Sequence, residues 1–266
     1  MGTYLDGILA WHRRRAAADT RDLGELAQRA VASRAGDPPR DFAAALRRSG
    51  EVPALVAEVK RRSTSKGDLA PDLDPAALGA AYEAGGAAAL SVLTDGPHFG
   101  GSPADLGAAR GATRLPVLRK DFTVSPLDVC DARLMGADAV LLIVAALTDD
   151  ELRELLALAR PLGLSALVEV HDESEASRAV AAGGRLIGVN QRDLNTFEVD
   201  TERALRVAAV LPEDVVKVAE SGITSHEDAR RLAVGGYDAV LVGESLVTSG
   251  EPKAAARTLL TGVGVP

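Results

Sequence analysis

Residues 116–144, PVLRKDFTVSPLDVCDARLMGADAVLLIV, read as a strand, a helix and a second strand. The first apolar run ends in Lys120, and an apolar helix holding Cys130 follows LRKDF. MGADAVLLIV then reads as a helix end, a glycine turn and a new strand. GGYDAVLVGE, from Gly235, echoes it. The same rhythm runs both ways along the chain. Strands are expected near 54–60, 87–93, 116–120, 138–144, 164–170, 185–190, 215–220 and 238–243, with Ala/Leu-rich helical segments between them. Strict βα alternation predicts a parallel sheet with helical crossovers. Nearly continuous apolar strands fit a sheet buried on both faces. A doubly wound sheet is the competing architecture. Eight strands, and no Gly-rich dinucleotide loop after the first, favour a (β/α)8 TIM barrel. Helices are expected over 3–18, 22–34 and 40–48, with Asp41 capping the third. The chain thus reads as one barrel domain over 1–266, with a helical extension over 1–50.

Composition bounds the function. A chain of 266 residues with 47% hydrophobic content buries a large core, and a net charge of -8 argues against nucleic acid or an acidic membrane as partner. The lone cysteine, Cys130, forms no internal disulfide. There is no signal-like segment and no spanning apolar run, so a reducing cytoplasm is expected. Of 30 basic residues only Lys60, Lys66, Lys120, Lys217 and Lys253 are lysines. A lysine at a strand end then stands out, because lysine can release its proton and arginine cannot.

In such barrels reactive groups gather at the C-terminal ends of the strands. Glu58 and Lys60 lie two apart on the first strand and face one side. Lys120 ends the third strand, Glu169 nears the end of the fifth, Asn190 closes the sixth and Glu220 the seventh. Converged in one bowl, these groups shift one another's proton affinity, as general acids and bases require. The alternative is a structural salt-bridge ring at a polar barrel mouth. Repeating buried ion pairs seldom repay their desolvation, which counts against it. VAESGI puts Ser221 and Gly222 after the seventh strand, and VLVGES puts Gly243, Glu244 and Ser245 after the eighth. Paired glycine turns there point to a phosphate held by backbone N–H groups, with the Glu244 carboxylate turned away. Phe99 and Phe122, in βα loops, read as walls for an aromatic ligand. His171, His98 and Asp95 lack a second His or Cys at ligand spacing, so no metal is expected. Asp172 reads as a helix N-cap and Cys130 as packing. Arg13-Arg14-Arg15 and Arg61-Arg62 read as ordinary solvated charge.

AEVKRRSTSKGDL, SVLTDGPHFGGS, PVLRKDF, LVEVHD, IGVNQRDLNTFEVD, AESGI and LVGES occur in order. As a set they resemble indole-3-glycerol phosphate synthase, over essentially the whole chain. The resemblance implies a cofactor-independent carboxy-lyase of tryptophan biosynthesis. Its substrate would be 1-(2-carboxyphenylamino)-1-deoxyribulose 5-phosphate, an anion with phosphate and carboxylate. The ring closes onto the sugar carbonyl, CO2 leaves and water is lost. By resemblance, Lys120 is the general acid of condensation and Lys60 sits by the substrate carboxylate. Glu58 and Asn190 hold hydroxyls, Glu169 is a further acid–base group, and Ser221 belongs with this catalytic set. Phe99, Phe122, Arg192, Leu194 and Glu220 match substrate-pocket positions; Ser63, Gly222, Gly243 and Glu244 match phosphate positions. Other enzymes of the pathway are conceivable partners. Which of Glu58, Glu169 and Lys60 moves the dehydration proton stays open. Two departures stand out: Thr64 replaces a usual proline, which predicts a looser first loop, and Gln191 replaces asparagine or serine.

Overall fold

A computed structural model describes residues 4–48, 50–63, 66–193 and 196–263. The expectations at Thr64 and Leu194 fall outside them. Eight parallel strands close into a barrel: β1 Ala54–Val59, β2 Ala89–Leu93, β3 Val117–Lys120, β4 Ala139–Ile143, β5 Ser165–Val170, β6 Leu186–Asn190, β7 Val216–Glu220 and β8 Ala239–Val242. Each strand pairs with its sequence neighbours. β1 closes the ring by pairing Val56 with Ala89 of β2 and Ala54 with Ala239 of β8. All eight strands lie within a residue or two of their expected places.

The strand period of two sorts the core into two shells. Leu55, Ala57 and Val59 of β1 join the outer shell, packed under the crossover helices. Val56 joins the inner one, with Ala89, Leu118, Leu167, Leu186, Val218 and Leu241. Two residues on from these inner positions, towards the C-terminal ends, stand Glu58, Lys120, Glu169, Glu220 and Gly243; Asn190 lies four beyond Leu186. The barrel interior is therefore apolar low down and ionic at its mouth.

Before the barrel come α1 Tyr4–Ala17, α2 Leu23–Ser33 and α3 Phe42–Leu46. Asp22 and Asp41 cap α2 and α3 with their carboxylates. Phe42 and Leu46 are fully buried against the inner shell and plug the barrel's N-terminal end. Asp172 caps helix Glu173–Ala181, and Cys130 is buried, both as the sequence suggested. No described helix is long and apolar enough to cross a membrane.

Arg14 and Arg62 are exposed, as expected, whereas Arg13, Arg15 and Arg61 are not ordinary solvated charge. Arg13 bridges from α1 to Glu151 and to the Ala146 carbonyl at 2.9 Å. Arg15 pairs with Asp128. Arg61 binds Asp105 at 3.0 Å and the carbonyls of Pro71 and Leu73. These side chains tie the extension and the first βα loop to the barrel. Their carboxylate partners lie 44 or more residues away, so no local pattern marked them.

Candidate active site

A cavity of about 240 Å³ opens at the C-terminal mouth. Glu58, Lys60, Ser63, Phe99, Lys120, Phe122, Glu169, Asn190, Arg192, Glu220, Ser221, Gly222, Gly243 and Glu244 all line it. Every expected site residue within the described part of the chain is thus brought to one place.

Two ionic groups stand in the bowl. Just past β1, the Lys60 ammonium sits 2.6 Å from Glu58 Oε2, and the Ser91 hydroxyl donates to Glu58 Oε1 at 3.3 Å. Lys120 donates to Glu169 Oε2 and to Glu220 Oε2, each at 2.7 Å. Asn190 Nδ2 donates to Glu169 Oε1 at 3.2 Å, and its Oδ1 accepts from the Ser221 hydroxyl and the Arg192 N–H. Glu220 Oε1 is buried with no hydrogen-bond partner among the described residues. Gly188 makes room for it, since a Cβ there would lie 2.2 Å from that oxygen.

The electrostatics follow from this arrangement. Burial pulls Lys120 down, but Glu169, Glu220 and Glu58 outweigh it and hold the ammonium charged. Burial pushes Glu169 up, yet Lys120 and His171 carry it well below the ordinary carboxylate range. Glu220 goes the other way. Burial, with repulsion from Glu169 and Glu58, raises it despite Lys120. One lysine between two buried carboxylates cannot keep both ionised equally well.

At the turns expected to hold phosphate, Ser221 and Gly222 both adopt left-handed backbone, at φ 69° and 72°. A Cβ on Gly222 would meet Val199 Cγ1 at 2.4 Å, and one on Gly243 would meet Glu58 Oε2 at 2.5 Å. Position 222 therefore demands glycine, while a side chain at residue 243, where φ is -125°, would have to displace the Glu58 carboxylate. Gln191 Nε2 donates to the Ser221 carbonyl at 2.7 Å and braces the strained turn, so this departure from the family pattern is accommodated. Glu244 turns its carboxylate to Lys66, as a backbone-only phosphate contact needs.

Phe99 and Phe122 stand with ring centroids 6.5 Å apart on one wall. Behind them lies a group that spacing along the chain did not foreshadow. His12, from α1, reaches Asp95 Oδ2 at 2.8 Å, and His98 Nδ1 reaches the same oxygen at 2.9 Å. His12 also packs against Phe122, with centroids 5.3 Å apart. Among the described residues, the ligand atoms of His12, Asp95 and His98 lie within 4.8 Å of one another. The absence of a second histidine at ligand spacing was therefore a poor guide to three-dimensional proximity. The contacts make a hydrogen-bonded chain. Asp95 accepts from both rings, while His12 Nδ1 is buried without a partner. That is cheapest if His12 carries its proton on Nε2 alone; a ring bound to metal through Nε2 would bury an orphan Nδ1–H. Burial pushes Asp95 up, but the hydrogen bonds from His12 and His98 win and hold it at about 2.

Comparison with known proteins agrees with this geometry. The family model described as indole-3-glycerol phosphate synthase matches residues 5–259. A protein of that name from Nocardioides sp. is 56% identical over 227 residues, covering 85% of this chain and 86% of that protein. One from Mycobacterium ulcerans is 50% identical over 259 residues, covering 97% and 94%. A solved thiamine phosphate pyrophosphorylase from Pyrococcus furiosus superposes with a TM-score of 0.58 at 18% identity, covering 79% of this chain and 94% of that one. That likeness concerns the fold alone.

Proposed function

This chain belongs to the indole-3-glycerol phosphate synthase family, and from that premise we infer how it turns 1-(2-carboxyphenylamino)-1-deoxyribulose 5-phosphate into indole-3-glycerol phosphate. The observation that carries the reading is Lys120, held charged between Glu169 and Glu220 at the floor of the cavity. The substrate's ring carbon bearing the carboxylate attacks the sugar carbonyl. The carbonyl oxygen takes a proton from Lys120 and becomes a hydroxyl. The carboxylate leaves as CO2, returning its electron pair to the ring. The hydroxyl then takes a proton from one rim group and departs as water, and a second rim group removes the adjacent C–H proton to complete the indole. Glu58, Lys60 and Glu169 stand at the rim for these last proton transfers.

The rest of the site binds. Lys60 faces the substrate carboxylate, and Arg192 lines the same bowl. Phe99 and Phe122 hold the aromatic ring between loop and barrel. The phosphate sits on the backbone N–H groups at Gly222 and Gly243–Glu244, with Ser63 beside them. Asn190 orients Glu169 and Ser221 and meets a substrate hydroxyl. The chain as a whole carries -8, so Lys60, Lys120 and Arg192 supply the local positive field that draws in an anionic substrate. Side-chain acids and bases carry every step, and no cofactor is called for. We read the chain as a single barrel domain with its helical extension, working in the cytoplasm on a small anionic substrate; contact with other enzymes of tryptophan biosynthesis is compatible with this. The direct test is the fluorescence of indole-3-glycerol phosphate formed from synthetic substrate. No product with properly folded protein would overturn the reading.

A further inference from the structure

His171 stands beside the Glu169–Lys120–Glu220 array, and the mechanism above leaves it without a task. It follows β5 directly, and its side chain is 14% exposed. Glu175, in the first turn of the next helix, uses one oxygen to accept from the His171 backbone N–H at 2.8 Å and to contact Nδ1 at 3.1 Å. That anchors the ring. Nε2 then lies 3.6 Å from Glu169 Oε1, buried and without a hydrogen-bond partner. A neutral ring with its proton on Nδ1 would turn a bare lone pair towards a carboxylate oxygen, which repels it. An imidazolium turns an N–H there instead, and the attraction is strong at low dielectric. The charged groups facing the ring agree. Burial and the Arg203 guanidinium favour the neutral form, but Glu175 and Glu169 outweigh them, and the net shift is upward.

The consequence lies in the difference between two otherwise similar carboxylates. Glu169 and Glu220 each accept from Lys120 at 2.7 Å, and each side chain is 3% exposed. Among the described residues, a second cation and an amide donor stand on the Glu169 side alone. Glu220 Oε1 fills the space over Gly188 and accepts no hydrogen bond there.

We propose that His171, held as an imidazolium by Glu175, is a positioning residue that keeps Glu169 the ionised member of the pair and leaves Glu220 as the carboxyl that holds a proton. Glu169 then enters each turnover as a base. The inference rests on the acid–base role given to Glu169 above.

The test is the pH profile of kcat/KM for the wild type, His171→Asn and Glu175→Gln, with the four histidines followed by NMR. Without the imidazolium, Glu169 holds its proton to higher pH. The acid limb of His171→Asn should move up by about 1 pH unit, and that of Glu175→Gln should move less in the same direction. kcat should fall more than KM changes. By NMR, His171 should titrate at higher pH in the wild type than in Glu169→Gln. If His171→Asn fails to fold, Glu175→Gln and the NMR titration decide. An unshifted acid limb in the histidine variant, with Glu169→Gln inactive, would overturn this inference alone. So would a His171 that stays neutral down to pH 6. Near-normal turnover in Glu169→Gln would instead overturn the reading on which it rests.

Discussion

At the N-terminal end of the barrel, Asp138 is fully buried and accepts from the backbone N–H groups of Arg40 and Val117 and from Arg110. Arg40 and Arg133 donate to the carbonyls of Leu115 and Ala137. At the C-terminal end, the buried charges bind one another: Lys60 with Glu58, and Lys120 with Glu169 and Glu220. Both ends bury ions, and the nature of the partners separates their roles. Charge tied to backbone locks strand ends and the helical extension in place. Charge tied to side chains around a cavity can trade partners with a ligand. Orphan atoms alone do not make the distinction, since Arg110 and Arg133 each keep a buried Nε without a partner. The salt-bridge ring weighed as an alternative for the mouth has its nearest counterpart at the opposite end.

That comparison can be broken at either end. The largest effect is expected for Lys120→Ala, which should lower turnover by about 10²–10⁴-fold in a variant that still folds. Turnover close to the parent's would remove Lys120 from the mechanism. Asp138→Ala should do the reverse. It strands the Arg110 guanidinium and two backbone N–H groups, that of Arg40 and that of Val117 at the start of β3, so it should cost about 3–5 kcal/mol of stability with activity per folded molecule preserved. Denaturant titration alongside the product assay checks both halves, and a selective loss of activity would erase the contrast.

Gly222→Ala tests the phosphate end. It forces a side chain into left-handed backbone and against Val199. The backbone term alone is about 1–2 kcal/mol, and a rise in KM of about tenfold should exceed the fall in kcat. An unchanged KM would mean that the phosphate lies elsewhere, which a product complex would show directly.

A smaller effect is expected at Asp95. Its folded value of about 2 lies below its ordinary 3.8. Its stabilising contribution is therefore complete above about pH 4 and lost as pH falls through 2. Asp95→Asn should be less stable than the parent at pH 7, with the gap narrowing between pH 4 and 2; parallel curves would refute the linkage. Smallest of all, EDTA should leave turnover unchanged, because the proposed steps run on lysine and carboxylate side chains. Activity lost to chelator and restored by a divalent ion would give the His12–Asp95–His98 group a different meaning.

Much of the mouth was legible because it is written along single strands. A period of two puts Glu58 beside Lys60, and strand ends place Lys120, Asn190 and Glu220 without knowledge of any distant contact. The glycines after β7 and β8 were legible for a related reason: turn geometry is local. Three features were not legible. Arg13, Arg15 and Arg61 look like surface charge until their partners arrive from elsewhere in the fold. His12 meets Asp95 across 83 residues. The backbone ties of Asp138 depend on where α3 and the loop before it plug the barrel.

By itself, then, the order of apolar runs and breakers determined the (β/α)8 barrel, which short-range periodicity records directly, and the motifs at the strand ends carried the resemblance to the family. Only the tertiary structure decided how the ions are shared: that Lys120 bridges two carboxylates, that His171 stands behind one of them, and that α1 supplies His12 to the aromatic wall. Electrostatic partnership depends on distance and burial between segments far apart in the chain, and neither is encoded in any one of them.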